Sequence, residues 1–223
     1  MVSVYLTADE LLEAVRSWEG RVLVVGTVLF SIILVWEAGT LRSRLIRDGL
    51  VFLVGPLLLA AVYGRNIGWR VDRRALRWSV GLTAFVLPFY IVGSTFPAVR
   101  AAYPMYGAAV PTLPAFLPTA IGLIVVVVAT ETYFRGLLCV GLRSWGRVAI
   151  LVHLPFYVIR HLGQPPLEVA LSGPAGVLFG VAAYETESIL PPVVAHGVGV
   201  LILDWLTRHP PLFDASRWLG LLV

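Results

Sequence analysis

Seven times between positions 22 and 205 the sequence returns to a run of apolar residues: 22–36, 49–63, 79–95, 116–143, 148–162, 173–184 and 189–205. A backbone inside lipid has no water to satisfy its N–H and C=O groups, so runs of this length must fold as helices that close their own hydrogen bonds. Composition agrees, since 58% hydrophobic and 13% charged residues with a mean hydropathy of +0.86 are incompatible with a soluble globule. The pattern predicts an all-α polytopic membrane helix bundle of about seven transmembrane helices. No repeat or low-complexity linker divides it, so residues 1–223 read as a single integral membrane domain.

The net charge of +4 comes from arginines alone, because the sequence contains no lysine. Those arginines lie between the apolar runs rather than in a basic domain interleaved with aromatics, which is membrane topology and argues against a nucleic-acid partner. If the spans alternate, the arginine-rich segments "RNIGWRVDRRALR" and "RSWGR" fall on the N-terminal side. The positive-inside rule then makes that side cytoplasmic, as expected for the plasma (inner) membrane of a prokaryote, although "RSRLIR" on the other side argues back. Residues 1–20 carry acids before any apolar run and lack a basic n-region, so a cleaved signal peptide is not expected. Thr7 and Glu10 form a capping box ahead of "LLEAV", and the segment reads as an amphipathic helix at the membrane interface or, equally, as a plain soluble helix. Cys139 is the sole cysteine and has neither a disulfide partner nor a CxxC companion, so it reads as a small core residue.

The chemistry is carried by ionisable residues inside the apolar runs. "VVVVATETYFRGLL" holds Glu131 and Arg135 where lipid-facing residues would be cheapest, and a charge at the bilayer centre costs at least a few kcal/mol, about 3 or more. The pair could be a neutralised structural one at i, i+4. His161 ends the next run, His196 lies in the last, and Asp204 follows two turns later. At about 1.5 Å per residue, Glu131 lies roughly 18 Å from the cytoplasmic end of its span, His161 roughly 20 Å into the next and His196 roughly 11 Å into the last. A carboxylate and two imidazoles at one depth can bind a metal with a position left for water, or hold a water between base and donors. Asp204 reads as an interfacial acid near a helix end, His153 as a packing or pore-side histidine, and His209 as a solvated end residue.

At these residues the sequence resembles the CPBP family of intramembrane proteases, which includes the Rce1-type CAAX prenyl endopeptidases and bacterial relatives linked to bacteriocin immunity. The family's EExxxR motif, usually followed by glycine, appears as Thr130-Glu131-Thr-Tyr-Phe-Arg135-Gly136; its FxxxH motif appears as Tyr157 to His161; and its HxxxN motif, preceded by a glycine-containing helix and a polar turn, appears through Gly180, Ser188 and His196. The resemblance covers 113–205, a CPBP-like catalytic core. Two positions depart from it: the first glutamate, taken to activate water, falls on Thr130, and the asparagine of the third motif falls on Val200.

The resemblance implies an intramembrane endopeptidase that hydrolyses membrane-anchored proteins or peptides for maturation, sorting or immunity, with a polar cavity within the C-terminal four helices. Glu131 would be the base or a metal-linked carboxylate and Thr130 would orient water. His161 and His196 would bind a divalent metal such as zinc or the oxyanion, and Arg135 would act beside the site. A cofactor is either absent or such a metal; the residues leave this undecided. The alternative is a catalytically inactive relative that binds and holds a membrane partner.

Overall fold

The structure, a computed structural model, describes residues 7–106 and 112–213; residues 1–6, part of the N-terminal amphipathic segment, lie outside it. It is all helical among the described residues. Helix α1 (Ala8–Arg16) carries the expected capping box between Thr7 and Glu10 and leaves Leu11, Leu12 and Val15 exposed on one face. Ser17 caps the next helix, α2 (Trp18–Val35), by accepting from the Gly20 N–H. Helices α3 (Leu41–Asp48) and α4 (Gly55–Val62) are joined by a π-helical segment, Gly49–Val54, into one element of 22 residues. There follow α5 (Arg73–Gly93), α6 (Pro97–Ala102), α7 (Leu113–Glu131), the short α8 (Ala149–Val152) and α9 (Leu154–His161), then α10 (Pro166–Thr186) and α11 (Leu190–Thr207).

Six helical elements among the described residues are long and apolar enough to cross a membrane, not seven. The run 148–162 is the difference. It breaks between α8 and α9 at His153, just before Pro155, whose ring removes a backbone donor. The eight residues of α9 rise only about 12 Å, far short of a hydrocarbon core of about 30 Å. This element buries Tyr157, leaves Ile159 exposed, and carries His161 to the wall of an internal cavity.

Two packing arrangements position the site. The first is an aromatic core in which Phe30, Phe52, Tyr133, Phe134 and Tyr157 surround the first motif, with ring centroids of Phe52 and Tyr133 4.4 Å apart. The Tyr133 hydroxyl donates to the Gly26 carbonyl at 2.7 Å, and the Trp18 indole donates to the Gly141 carbonyl at 2.6 Å, so α2 is tied to both ends of the motif segment. The second is the packing of α11 along α5 and α7. Gly199 makes it possible: a Cβ there would sit 2.1 Å from the Tyr90 ring, so the two helices approach as close as small residues allow. The sharp link from α10 to α11 uses Glu187 in the left-handed region (φ 51°) and the Ser188 hydroxyl, which accepts from the Leu190 N–H at 3.1 Å.

Candidate active site

The motif of α7 runs out of α-helix where its chemistry begins. Glu131 is the last residue of α7, and Thr132–Leu137 continues as a π-helix, a widened turn that recurs at functional positions. Gly136 is required here, because a Cβ would lie 2.7 Å from the Ile67 carbonyl oxygen of the loop crossing beneath. Glu131 and Arg135 are both 0% exposed and form an ion pair, Nη1 to Oε2 at 3.2 Å and to Oε1 at 3.3 Å. The guanidinium lies over the Tyr157 ring at 4.0 Å and within 5.3 Å of the Phe179 ring. It is thereby held between one carboxylate and two aromatic faces.

His196 closes the arrangement. Its Nδ1 donates to Glu131 Oε1 at 2.6 Å, so the carboxylate fixes the ring and leaves Nε2 as the free nitrogen. The His161 Nδ1 donates to the Tyr157 carbonyl at 2.7 Å, one turn back on its own helix. A carbonyl can only accept, so neutral His161 presents an unprotonated Nε2. Both imidazoles line a cavity of about 490 Å³ between α5, α9, α10 and α11, and a second of about 100 Å³ bounded by α7 and α11. The two share Tyr103, Tyr157, His161, Glu168, His196 and Val200 in their walls. The larger is mainly apolar, and its wall includes Phe85 and Phe89 of α5, which are 60% and 53% exposed. The cavity thus draws on α5 as well as the C-terminal four helices.

Consecutive residues on a helix point about 100° apart, and Thr130 and Glu131 separate accordingly. Thr130 lines the smaller cavity, with its hydroxyl donating to the Val126 carbonyl at 2.8 Å. Glu131 lines neither cavity and meets them only through His196. That is a different placement from the water-facing base the sequence suggests, and its cause is the pairing of both carboxylate oxygens within the protein. Val200 stands in both walls where an amide would have been polar.

Among the described residues, no three His, Cys, Asp or Glu side chains gather as a metal centre requires. Glu131 is engaged by Arg135 and His196, and no other carboxylate gathers with the two imidazoles among the described residues, so the donor set falls short of the three protein ligands of a held catalytic zinc. His153 is fully buried against Gly180, where a Cβ would meet its Nε2 at 2.8 Å, and lines neither cavity, so it is a packing residue. Asp204, near the end of α11, is buried, accepts from Arg208 Nε at 2.8 Å and lines the smaller cavity. The helical spacing of Asp204 and Arg208 could have signalled that pair. Half-buried His209 donates through its ring to the Trp205 carbonyl at 2.8 Å. Glu168 and Tyr103 line both cavities and escape sequence reasoning, since neither lies in a motif.

The fold and site define a polytopic, all-helical membrane protein with a buried carboxylate–imidazole pair at an internal cavity. Residues 112–202 match the family model described as type II CAAX prenyl endopeptidase Rce1-like, of the CPBP family. The match takes in all three motifs and every residue named above from Thr130 to Val200, and at the level of that family the activity is that of an intramembrane CAAX-type protease. No curated protein and no solved structure matches the chain significantly.

Proposed function

We propose that the protein is an endopeptidase that hydrolyses a peptide bond of a membrane-anchored protein or peptide at the junction of the two cavities. The observation that carries this reading is the 2.6 Å contact between His196 Nδ1 and the fully buried Glu131, which aims the other edge of His196 at a cavity shared with His161. A carboxylate that fixes an imidazole through one nitrogen leaves the opposite nitrogen to give or take a proton. Glu131 is in this reading a positioning residue for His196, with Arg135 holding the carboxylate in place. His161 Nε2 accepts a hydrogen bond from the attacking water, and His196, carrying a proton on each ring nitrogen, donates from Nε2 to the oxygen that becomes the oxyanion. Thr130 borders the water's side of the site. The apolar larger cavity, bordered by exposed Phe85 and Phe89, suits a substrate that arrives through the bilayer rather than from water. The arginine bias supports a cytoplasmic N-terminus in a prokaryotic plasma membrane.

One observation favours a second reading, a relative that binds without cutting: the motif position facing the cavity is Thr130, a hydroxyl that cannot accept a proton at neutral pH. One experiment separates the two. Purified protein in lipid is presented with a library of membrane-tethered reporters whose juxtamembrane residues are randomised, and products are identified by mass spectrometry. Cleavage that disappears in His161→Ala and His196→Ala supports the protease; wild-type protein that retains reporters without cutting them supports the binding protein and sinks the protease.

A further inference from the structure

A water-activating site needs a proton acceptor, and the two positions where the first motif should provide one do not. Thr130 carries a hydroxyl, and Glu131 is turned away into its pairs with Arg135 and His196. Two other carboxylates border the cavities. Asp204 lines only the smaller one and is held by Arg208 at 2.8 Å. Glu168, in the first turn of α10, lines both, as do His161 and His196. One of its oxygens, Oε2, accepts from the Tyr103 hydroxyl at 3.1 Å; the other, Oε1, is buried with no hydrogen-bond partner. No arginine or histidine forms an ion pair with it among the described residues. A buried acceptor left open carries a cost of about 1–3 kcal/mol unless something occupies it, and a water is the simplest occupant.

We propose, resting on the protease reading above, that Glu168 is the general base, and that it replaces from α10 the carboxylate that position 130 lacks. The attacking water donates one hydrogen to Glu168 Oε1 and the other to His161 Nε2, which leaves a lone pair free for the scissile carbonyl carbon. As the new C–O bond forms, Oε1 takes the water's proton and the carbonyl oxygen becomes an oxyanion that accepts from the Nε2–H of His196 protonated on both nitrogens. Collapse re-forms the carbonyl and breaks the C–N bond, and the leaving nitrogen takes the proton from Glu168. One water and one amide thus yield one carboxylic acid and one amine, with the base restored. Tyr103 holds the carboxyl through its other oxygen, which leaves Oε1 as the oxygen without a partner.

The test uses the reporter that wild-type protein cuts best. Glu168→Gln is predicted to lower kcat by about 10²- to 10⁴-fold, the span a general base contributes, with KM nearly unchanged. Two further variants separate catalysis from structure. Tyr103→Phe removes the hydrogen bond but keeps the carboxylate, and is predicted to keep most of the activity. Glu168→Gln combined with Thr130→Glu returns a carboxylate to the smaller cavity, and is predicted to regain turnover over Glu168→Gln alone. Wild-type cleavage that survives Glu168→Gln overturns this proposal and leaves the protease reading standing. Tyr103→Phe as damaging as Glu168→Gln, or no recovery on adding Thr130→Glu, overturns it in favour of a structural tether. Wild-type protein that cuts no reporter overturns both.

Discussion

Replacing Glu131 with glutamine keeps the shape of the side chain and removes its charge. Both members of the Glu131–Arg135 pair are 0% exposed, so no water can replace what is lost. Arg135 Nε and Nη2 already lack hydrogen-bond partners, and no other carboxylate pairs with it among the described residues. Its contacts with the Tyr157 and Phe179 rings exist in the wild type and so offset nothing new. Orphaning a buried charge costs about 3–5 kcal/mol, and Glu131→Gln should lose stability in that range. Arg135→Met should cost less, because the carboxylate it leaves behind still has His196 Nδ1 at 2.6 Å. The double variant orphans neither charge, so its loss should fall short of the sum of the singles by about 1–3 kcal/mol. The assay is reversible unfolding in mixed micelles, run as a double-mutant cycle at fixed lipid-to-detergent ratio. Additivity within about 0.5 kcal/mol, the level seen for independent sites, would refute the pairing. So would Arg135→Met proving costlier than Glu131→Gln.

Gly199→Ala should destabilise by about 1–3 kcal/mol as an overpacked contact, since its Cβ would fall 2.1 Å from the Tyr90 ring, whereas Gly81→Ala, with nothing within 4 Å, should be close to neutral; the same unfolding assay compares them. Asp72 caps α5 by accepting from the Ala75 N–H at 2.8 Å, and that bond, aided by Arg70, holds its carboxyl below the usual value. A carboxyl lowered by folding contributes stability that is complete above its unfolded value of about 4 and is lost as pH falls through the lower folded one. Asp72→Asn keeps a capping oxygen but does not titrate, so its melting temperature should fall less than the wild type's over that acid range. Cys139 is fully buried, its thiol donating to the Gly180 carbonyl at 3.6 Å; maleimide should label it only after unfolding, and prompt labelling of folded protein would contradict the packing of α10 on the motif segment.

The helical class and the motif residues were legible in the sequence because both rest on strong penalties. Apolar runs of this length tolerate only helices in lipid, and Glu131, Arg135, His161 and His196 stand out where charge is costly. What periodicity could not supply is where each side chain faces within one turn. Thr130 and Glu131 are adjacent in sequence, yet one borders a cavity and the other backs His196. The run 148–162 gives no spanning helix because apolarity does not measure helix continuity across His153–Pro155, and α9, with Tyr157 buried and Ile159 exposed, is too short to cross on its own. The reverse holds for α3: its arginines look like a polar boundary, but Arg44 and Arg47 both pair with Asp48, which lets the helix continue through a π segment into α4. Glu168 was invisible for a related reason. An acid in the first turn of a helix is ordinary on a surface, and only the tertiary arrangement brings it to a cavity that two imidazoles also line.

The central claim, that this cavity hydrolyses a peptide bond, is tested most directly by the fate of solvent oxygen. Reporter cleaved by the wild-type protein in heavy-oxygen water should carry one solvent oxygen atom in the new C-terminal carboxylate, and the labelled product should vanish with His161→Ala and with His196→Ala. A labelled product that persists in both histidine variants, or no product from any reporter, would contradict the account.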